Sequence, residues 1–370
     1  MIRVLHVLGR LDRGGAETFV MNIYRKIDRS KIQFDFIKHT KDKCDYDDEI
    51  IDLGGRIFSL PRYNVKNHFQ YKRKWKDFFR EHPEISAVHG HMRSTASIYL
   101  DIARVNEIVT IAHSHSTASR GSLVERLIKK LLQLPLRYRV DYLFACSNDA
   151  GKWLFGKSVV LKENYVLFKN SIDIEKFLFN QIKRDEMRKL LGVENKIVIG
   201  HVGSFTYPKN HKFLIQIFSE VKRKNQNLVL LLLGDGELKD SIIKQLKDLD
   251  VIDDAILLGN QPNISDYLQA MDVFVFPSIF EGLGISLIEA QVSGLPCIIS
   301  EKIPNEAIIS EKVYKISLRK VEDWAKQILL INLSDNRNID DTIFYSRGYS
   351  IDEQVFKIEK FYLNTSNRRS

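Results

Sequence analysis

Short apolar runs rich in β-branched residues recur along the chain at intervals of roughly 20–30 residues, the length of one strand and its helical return. Helical periodicity fills the gaps between them, for example at 16–27 and 97–106. Strands that alternate with helices are typical of a parallel sheet covered on both faces. The pattern therefore predicts an α/β fold with a doubly wound sheet. In the first half the predicted strands are 2–8, 32–38, 85–91, 108–113 and 141–147.

The same alternation pauses near 167–177 and then restarts, with a helical pattern at 210–224. The chain has 370 residues, more than one hydrophobic core usually accommodates. In the second half the predicted strands are 196–203, 227–236, 254–259, 272–278 and 295–300. We therefore predict two Rossmann-like domains, 1–175 and 176–348. The remaining segment, 349–370, contains a helical pattern at 351–364 that can pack on either domain, and so can cross back to the first.

Composition and charge narrow the class of protein. Hydrophobic residues make up 44% of the chain, yet no apolar run approaches the roughly 20 residues that cross a bilayer. The start of the chain reads as a first strand and not as a signal peptide. Three isolated cysteines fit a reducing cytoplasm and argue against a disulfide framework. The net charge of +9 favours an anionic partner, but no zinc or RNA-recognition signature indicates nucleic acid.

In open parallel sheets, ligands bind beyond the carboxyl ends of the strands, so the residues that follow each strand are the candidates. After the first strand, Gly15 permits close backbone approach at the start of a helix, whose free N–H groups attract anions or hydroxyls. At and just after the end of the strand at 108–113, His113 and His115 can hydrogen-bond sugar hydroxyls or a leaving phosphate. The pair His89 and His91 is interpreted as structural. Metal binding by any of these requires a third ligand, which the sequence does not place.

The second half offers charged candidates at its strand ends. Lys209 follows the strand at 196–203 and can neutralise a diphosphate. Gly234 begins a G-D-G turn that lacks the third glycine of a nicotinamide-binding fingerprint. After the strand at 272–278, Glu281 lies on a glycine-rich turn and Glu289 in the helix that follows. Carboxylates accept hydrogen bonds from vicinal hydroxyls, while the helix N-terminus favours a phosphate.

These residues resemble a known family. Glu281 and Glu289 reproduce the E-x7-E spacing of retaining glycosyltransferases of family 4, and 276–298, FPSIFEGLGISLIEAQVSGLPCI, is similar to the surrounding motif. The glycine-rich opening at 6–25 resembles members that build bacterial capsule and exopolysaccharide. The segment 169–177 resembles the family's interdomain motif, with Ser171 where glycine is common. The resemblance implies the GT-B fold, in which two Rossmann-like domains face each other across a cleft.

The resemblance also implies roles for individual residues. Glu281 would bind hydroxyls of the donor sugar, Glu289 the ribose hydroxyls, and Lys209 the diphosphate. His113 would lie near the reacting sugar, with His115 as the alternative. Retention of anomeric configuration and independence from a metal or other cofactor are likewise implied. Backbone or turn contacts to the donor would come from Gly15, Gly203, Ser204, Gly234, Gly282, Leu283 and Gly284.

Two positions depart from this pattern or compete with it. Ser204 stands where many members of the family carry an arginine that clamps the diphosphate together with lysine, so either another basic residue replaces it or activity is low. The segment 45–47, DYD, resembles the D-x-D metal motif of a different glycosyltransferase fold. It opens a helical pattern, however, where acidic residues suit the helix N-terminus. We therefore do not expect a metal there.

The sequence predicts a cytoplasmic glycosyltransferase that moves a sugar from a nucleotide diphosphate sugar, UDP being favoured, to a saccharide on a lipid carrier. The alternatives are a nucleotide-sugar epimerase of the same fold and a catalytically silent nucleotide-sugar-binding subunit. Two basic stretches with large apolar residues, 62–80 and 125–139, favour a peripheral position on an anionic membrane. Their alternative interpretation is ordinary helices whose aromatic residues face the core.

Overall fold

The computed structural model describes residues 1–116, 122–332 and 337–366. They form two compact units. Unit 1 comprises Met1–Ser171 together with the segment that begins at Ser350, and unit 2 comprises Ile172–Tyr349. The chain therefore leaves unit 1, builds the whole of unit 2, and returns to unit 1 with its last helix. The unit boundaries lie a few residues from the predicted positions 175/176 and 348/349.

Unit 1 is built on a parallel sheet, which the described residues form in the order β3-β2-β1-β4-β5-β6-β7. The strands before β4 are added on one side of β1 and the later strands on the other, so the direction in which the sheet grows reverses between β1 and β4. Ligands of doubly wound sheets bind at such a switch point. The strands are β1 (Ile2–Val7), β2 (Ile32–Lys38), β3 (Ile57–Ser59), β4 (Ile85–Gly90), β5 (Val109–Ser114), β6 (Tyr142–Ala145) and β7 (Tyr165–Leu167).

Helices cover both faces of this sheet. On one face, α1 (Gly15–Lys26) and the last helix, α16 (Ile351–Ser366), pack their apolar residues against β1, β2 and β5. On the other face, α3, α4 and α7 enclose an aromatic core that includes Trp75 and Tyr99. The helices before unit 2 are α1 (Gly15–Lys26), α2 (Asp47–Asp52), α3 (His68–Glu81), α4 (Ala96–Val105), α5 (Leu123–Gln133), α6 (Leu136–Arg139) and α7 (Asn148–Phe155).

Unit 2 repeats the architecture, with its described strands in the order β10-β9-β8-β11-β12-β13. All of the pairings are parallel, and the switch point lies between β8 and β11. Strand β9 is fully buried and β8 is buried except at its two ends, as expected for strands covered on both faces. The strands are β8 (Ile197–Val202), β9 (Leu228–Leu233), β10 (Ala255–Leu257), β11 (Val273–Phe276), β12 (Cys297–Ser300) and β13 (Val313–Ile316).

The helices of unit 2 also form two layers, with α8, α12 and α13 on one face and α10, α11 and α14 on the other. Local signals set several helix ends. The side chain of Asn180 caps the start of α9, and Gly192 ends it in a left-handed conformation. The remaining helices are α8 (Ile174–Phe177), α9 (Gln181–Leu191), α10 (His211–Lys224), α11 (Lys239–Asp248), α12 (Ile264–Ala270), α13 (Ile285–Val292), α14 (Val321–Leu330), α15 (Thr342–Ser346) and α16 (Ile351–Ser366).

The predicted fold class is confirmed, since each unit is a doubly wound parallel sheet. Each predicted strand corresponds to a strand of the structure. The short strands β3, β7 and β13 were missed, because runs of three or four residues carry little periodicity. Most aromatic residues of 62–80 are buried against the core, which supports the second interpretation of that stretch. Phe69 is the exception, with 86% of its surface exposed.

The last helix completes the core of unit 1. Ile351, Val355, Ile358 and Tyr362 are all buried against the sheet. Two polar contacts also attach α16 to the end of α1, because Glu359 accepts the backbone N–H of Asp28 at 2.7 Å and Asp352 pairs with Lys26 at 2.9 Å.

This packing predicts that unit 1 depends on α16 for its stability. Ile358→Ala should lower the free energy of unfolding of unit 1 by about 2–4 kcal/mol, because it leaves a cavity at a side chain that is 1% exposed. Phe356→Ala, in the same helix but 67% exposed, is the matched control and should change it by less than about 0.5 kcal/mol. Calorimetry of both variants measures the difference. Equal effects would contradict the packing described.

Candidate active site

Two charged side chains meet at the switch point of unit 2. Lys209 ends a short 3-10 turn, Tyr207–Lys209, after β8, and Glu281 lies on the turn after β11. Their Nζ and Oε1 atoms are 2.7 Å apart, with only 18% and 12% of the side chains exposed. The Lys209 ammonium also lies 4.9 Å from the centre of the Phe276 ring. The structure thus brings together the two residues that the sequence placed 72 positions apart.

The two turns are fixed to each other by backbone geometry. Asn210 adopts a left-handed conformation that ends the 3-10 turn and begins α10. Its side-chain amide donates to the carbonyl oxygen of Pro277 at 3.1 Å, and the N–H of Ile279 donates to the carbonyl oxygen of Pro208 at 2.8 Å. These two hydrogen bonds join the turn that carries Lys209 to the turn that carries Glu281. The distance between the two side chains is therefore set by the backbone of the turns as well as by the ion pair itself.

Helix α13 starts directly behind Glu281. Gly284 precedes it with a φ of +81°, a conformation that favours glycine, and a Cβ there would lie 3.2 Å from the Phe276 ring. The first N–H groups of α13 have no intrahelical acceptors, and its first turn contains no acidic residue. Leu283 is buried and can offer only its backbone to a ligand. Together with Gly282, these residues form the glycine-rich turn that the sequence predicted.

Glu289 is buried in α13, with 6% of its surface exposed. Burial raises the pKa of its carboxyl group from the ordinary 4.5 to about 7, while Lys176 acts in the opposite direction. A carboxylate that is costly to ionise in the folded protein is typical of a functional position, although structural burial alone produces the same effect. Sequence spacing located this residue but could not show that it is buried.

The glycines at the ends of β8 and β9 allow two backbone segments to touch. A Cβ at Gly234 would lie 2.2 Å from the carbonyl oxygen of Gly203, and the φ of Gly234 is +136°. Phe205 donates its N–H to the carbonyl oxygen of Asp235 at 2.9 Å, which joins the two turns. The hydroxyl of Ser204, which occupies the position of the expected arginine, lies 3.2 Å from that of Thr206. Glycine is therefore required here by packing, independently of any ligand.

In unit 1, Gly15 begins α1 and is exposed, and a Cβ at this position would meet no atom within 4 Å. The backbone of the turn is therefore open on that side. Glu17, in the first turn of the same helix, has its pKa raised to about 7, mainly by burial. Glu17 was not among the residues predicted from the sequence. An acidic residue in the first turn of a helix that begins with two glycines is the pattern that could have identified it.

Five histidines line the carboxyl ends of three neighbouring strands in unit 1, and we call them the histidine cluster: His6 of β1, His89 and His91 at the end of β4, and His113 and His115 at the end of β5. Four are buried and His115 is partly exposed. Burial lowers the pKa of each ring, that of His115 to about 3, so all five are neutral at pH 7. The rings of His113 and His115 stack with centres 4.0 Å apart.

Hydrogen bonds divide the cluster into two chains. In one, His6 Nδ1 meets His91 Nε2 at 3.0 Å and His91 Nδ1 meets His115 Nε2 at 2.8 Å. In the other, His89 Nε2 meets His113 Nδ1 at 3.0 Å. His89 and His91, which the sequence analysis interpreted as structural, are thus hydrogen-bonded to the two candidate histidines, His113 and His115.

The sequence did not place a third metal ligand beside His113 and His115, whereas the structure does. His91 joins them in a group whose ring nitrogens lie within 4.8 Å of one another, and His6, His89 and His91 form a second such group. Most of these nitrogens already take part in the hydrogen bonds described above. At 45–47, Asp47 begins α2 and pairs with Lys38, while Asp45 accepts the N–H of Arg13 at 3.1 Å, so both carboxylates have structural partners.

Comparison with known proteins identifies the class. The family described as "Glycosyltransferase Family 4" matches residues 13–176, and that described as "Glycosyl transferases group 1" matches residues 182–341. The chain is 38% identical over 332 residues to the "Putative glycosyltransferase EpsF" of Bacillus subtilis. The aligned region covers 88% of this chain and 86% of that protein. The chain belongs to the family 4 glycosyltransferases.

Two further comparisons extend this result. The chain is 26% identical over 295 residues to the "UDP-Gal:alpha-D-GlcNAc-diphosphoundecaprenol alpha-1,3-galactosyltransferase" of Escherichia coli, covering 75% of each protein. The crystal structure of Anabaena HepE in complex with UDP and glucose superposes with a TM-score of 0.78 at 15% identity, covering 98% of this chain and 99% of that one. The GT-B fold expected from the sequence is confirmed, and the chain is an enzyme that transfers glycosyl groups.

The raised pKa of Glu289 predicts a pH-dependent effect of Glu289→Gln. In the unfolded chain this carboxyl ionises near pH 4.5, and in the folded protein near pH 7. Wild type therefore loses stability relative to the variant as pH rises from about 4.5 to 7. At pH 8 the variant should be more stable by about 2–3 kcal/mol, with little difference at pH 4. Denaturant unfolding of wild type and variant from pH 4 to pH 8 measures the difference in their free energies of unfolding. A difference that does not vary with pH would contradict burial of the carboxylate.

Proposed function

We propose that the protein is a retaining glycosyltransferase that moves a sugar from a UDP-sugar to a lipid-linked saccharide in the biosynthesis of a bacterial surface polysaccharide. The observation that carries this proposal is the Lys209–Glu281 pair, held at the switch point of unit 2 in front of α13. A cation and a helix N-terminus at one strand edge suit the diphosphate of a nucleotide sugar. The carboxylate beside them suits the hydroxyl groups of its sugar.

Lys209 and the N-terminus of α13 would hold the diphosphate. In the unliganded protein the Lys209 ammonium is neutralised by Glu281 at 2.7 Å. A diphosphate carries more negative charge than one carboxylate, so it competes for the ammonium, and the Glu281 oxygens become available to accept hydrogen bonds from the donor sugar. Ser204 supplies no positive charge, which leaves Lys209 with a larger share of the leaving group's stabilisation. With lysine and the helix dipole in this role, the proposed reaction requires no metal at the diphosphate.

The remaining residues have supporting roles in this proposal. Glu289 would accept hydrogen bonds from the ribose, and the backbone of Gly282, Leu283 and Gly284 would hold the donor against α13. Gly203, Ser204 and Gly234 would border the nucleotide through the joined turns after β8 and β9. In unit 1, Gly15 would present its open backbone to the donor, and His113 or its neighbour His115 would contact the reacting sugar.

The choice of UDP and of a lipid-linked acceptor is supported by the relatives. The similar E. coli enzyme uses UDP-galactose and a diphosphoundecaprenol-linked acceptor by its description, and HepE was crystallised with UDP. The identity of the sugar transferred depends on pocket shape, so we limit the proposal to a hexosyl or N-acetylhexosaminyl group.

Binding of UDP provides the test. UDP and UDP-sugars should raise the melting temperature by an amount that grows with the logarithm of ligand concentration over dissociation constant, with GDP and ADP less effective. Lys209→Ala should remove most of the shift and reduce sugar transfer at least about 100-fold, since one charged donor to the leaving group is lost. Lys212→Ala removes an exposed lysine three positions away and is the matched control. Near-normal transfer by Lys209→Ala would refute the proposed role.

Helix α5 supports a peripheral position on the inner face of the cell membrane. It begins with a capping box formed by Ser122 and Glu125, and it carries an apolar stripe at helical spacing that faces solvent. Arg126 and Lys130 lie exposed on the same helix. An amphipathic helix with exposed apolar and basic residues is suited to an anionic leaflet. The exposed apolar residues are Val124, Leu127, Ile128, Leu131 and Leu134.

Within the described helices, none combines the length and the apolar character that a membrane span requires. The proposed attachment rests on the exposed apolar and basic side chains of α5. Tyr138, 68% exposed in the following segment, extends the same region and has Arg137 and Lys162 against its ring.

We expect the protein to sediment with vesicles containing phosphatidylglycerol, and the bound fraction to fall as salt is added. Replacing both Leu127 and Leu131 with glutamate should weaken binding at least about tenfold, because two apolar side chains are lost from the leaflet. Leu161→Glu is the control, since Leu161 is 84% exposed and lies outside α5. Failure of the wild type to bind at low salt would remove the proposal.

A further inference from the structure

The histidine cluster is connected to the last helix of the chain. Tyr362 of α16 is 1% exposed, and its hydroxyl oxygen lies 2.6 Å from His89 Nδ1. His89 is also hydrogen-bonded to His113, because its Nε2 lies 3.0 Å from His113 Nδ1. We propose that Tyr362 is a positioning residue, which fixes the tautomer of His113 through His89. This inference rests on the proposed function in one respect only, the contact of His113 with the donor sugar.

The direction of the first hydrogen bond follows from the surroundings of Tyr362. In the described part of the chain, its hydroxyl has no hydrogen-bond partner other than His89 Nδ1. If the phenol oxygen accepted a hydrogen bond from His89, its own O–H would be left buried without an acceptor, at a cost of about 1–3 kcal/mol. Burial raises the pKa of Tyr362 well above its ordinary value, so the phenol retains its proton. Tyr362 therefore donates to His89.

The direction of the second bond follows from the first. Burial lowers the pKa of His89 well below its ordinary value, so the ring is neutral and carries one N–H. Since Nδ1 accepts from Tyr362, the ring proton is on Nε2 and is donated to His113 Nδ1. His113 is also neutral, and its Nδ1 is used as an acceptor, so its proton must be on Nε2.

The consequence lies at His113 Nε2. Among the described residues this atom is buried and has no hydrogen-bond partner. The chain of bonds from Tyr362 makes it an N–H group, and hence a donor to an oxygen of the ligand, such as a sugar hydroxyl or a phosphate oxygen. With the opposite tautomer it would be an acceptor only, and it could bind a hydroxyl but not a phosphate oxygen. Tyr362 thus determines which kind of ligand atom His113 can bind.

A bound metal is the competing explanation of the cluster, because His6, His89 and His91 offer ring nitrogens within 4.8 Å of one another. Coordination would require at least one hydrogen-bonded nitrogen to give up its partner. The chain from Tyr362 uses both nitrogens of His89, which leaves that ring no lone pair for a metal. The two explanations therefore make different predictions for the same ring.

The first test is spectroscopic and does not depend on activity. In protein labelled with 15N-histidine, long-range 1H–15N correlation identifies the protonated nitrogen of each ring, and His113→Gln assigns the signals of His113. Wild type should show His113 protonated on Nε2, in the absence of any metal ion. Tyr362→Phe removes only the hydroxyl and should allow both tautomers of His89 and His113. A wild-type His113 protonated on Nδ1, tautomers unaffected by the variant, or one equivalent of metal removable by EDTA would overturn the proposal.

The second test is kinetic. Tyr362→Phe should lower kcat about three- to tenfold, the effect of one misdirected hydrogen bond, with a small change in KM for the donor. In a His113→Gln background, the same substitution should have no further effect on kcat, since Tyr362 acts through His113. A purely structural role would lower kcat in both backgrounds and would overturn the proposal. Tyr349→Phe is the matched control, because Tyr349 is also buried and its hydroxyl donates to the carbonyl oxygen of Glu306 at 2.6 Å.

The two tests separate failure of this inference from failure of the proposed function. If wild type transfers no sugar, or if His113→Gln retains the full rate, the role of His113 in the proposed function is wrong, and the tautomers still decide whether Tyr362 orients the ring. If His113→Gln is inactive but Tyr362→Phe changes neither tautomer nor rate, the function stands and the inference is wrong.

Discussion

The parallel alignment of strands is the constraint on which the rest of this structure depends. It brings the residues that follow each strand to one edge of the sheet, whatever their separation along the chain. In unit 2 this alignment places Lys209 beside Glu281, and in unit 1 it collects histidines from three strands. Both groups lie around the point where the strand order reverses. The candidate functional side chains of both units thus lie at the edge where doubly wound sheets leave space for a ligand.

Much of this could be predicted from the sequence because its signals are local and strong. Apolar runs of six or seven residues located the long strands, and the eight-residue spacing of Glu281 and Glu289 located a turn and a helix. The fold class and the family followed. Short strands such as β13 did not, because four residues do not establish a period. The aromatic residues of α3 were ambiguous, since the same pattern describes a membrane contact and a core-facing helix, and only burial distinguishes them.

What the sequence could not supply was long-range pairing. Nothing near Tyr362 indicates that it contacts His89, 273 positions away. Similarly, the spacing that identified His113 gave no reason to expect His6 within the same cluster. Burial of Glu17 and Glu289, and with it their raised pKa values, depends on the packing of neighbouring elements. The sequence therefore predicted groups that would contact a ligand, and the structure adds the side chains to which those groups are hydrogen-bonded.

The return of α16 to unit 1 has a consequence for the order of events during synthesis. A domain whose residues are contiguous can fold as soon as they leave the ribosome, and domains generally do so in sequence. Here the core of unit 1 includes Ile358 and Tyr362, which are translated after all of unit 2. The second unit to be made is therefore the first that has its complete set of residues. Until α16 has been synthesised, the nascent first unit exposes the apolar surface that α16 will cover, and it would be a natural substrate for chaperones.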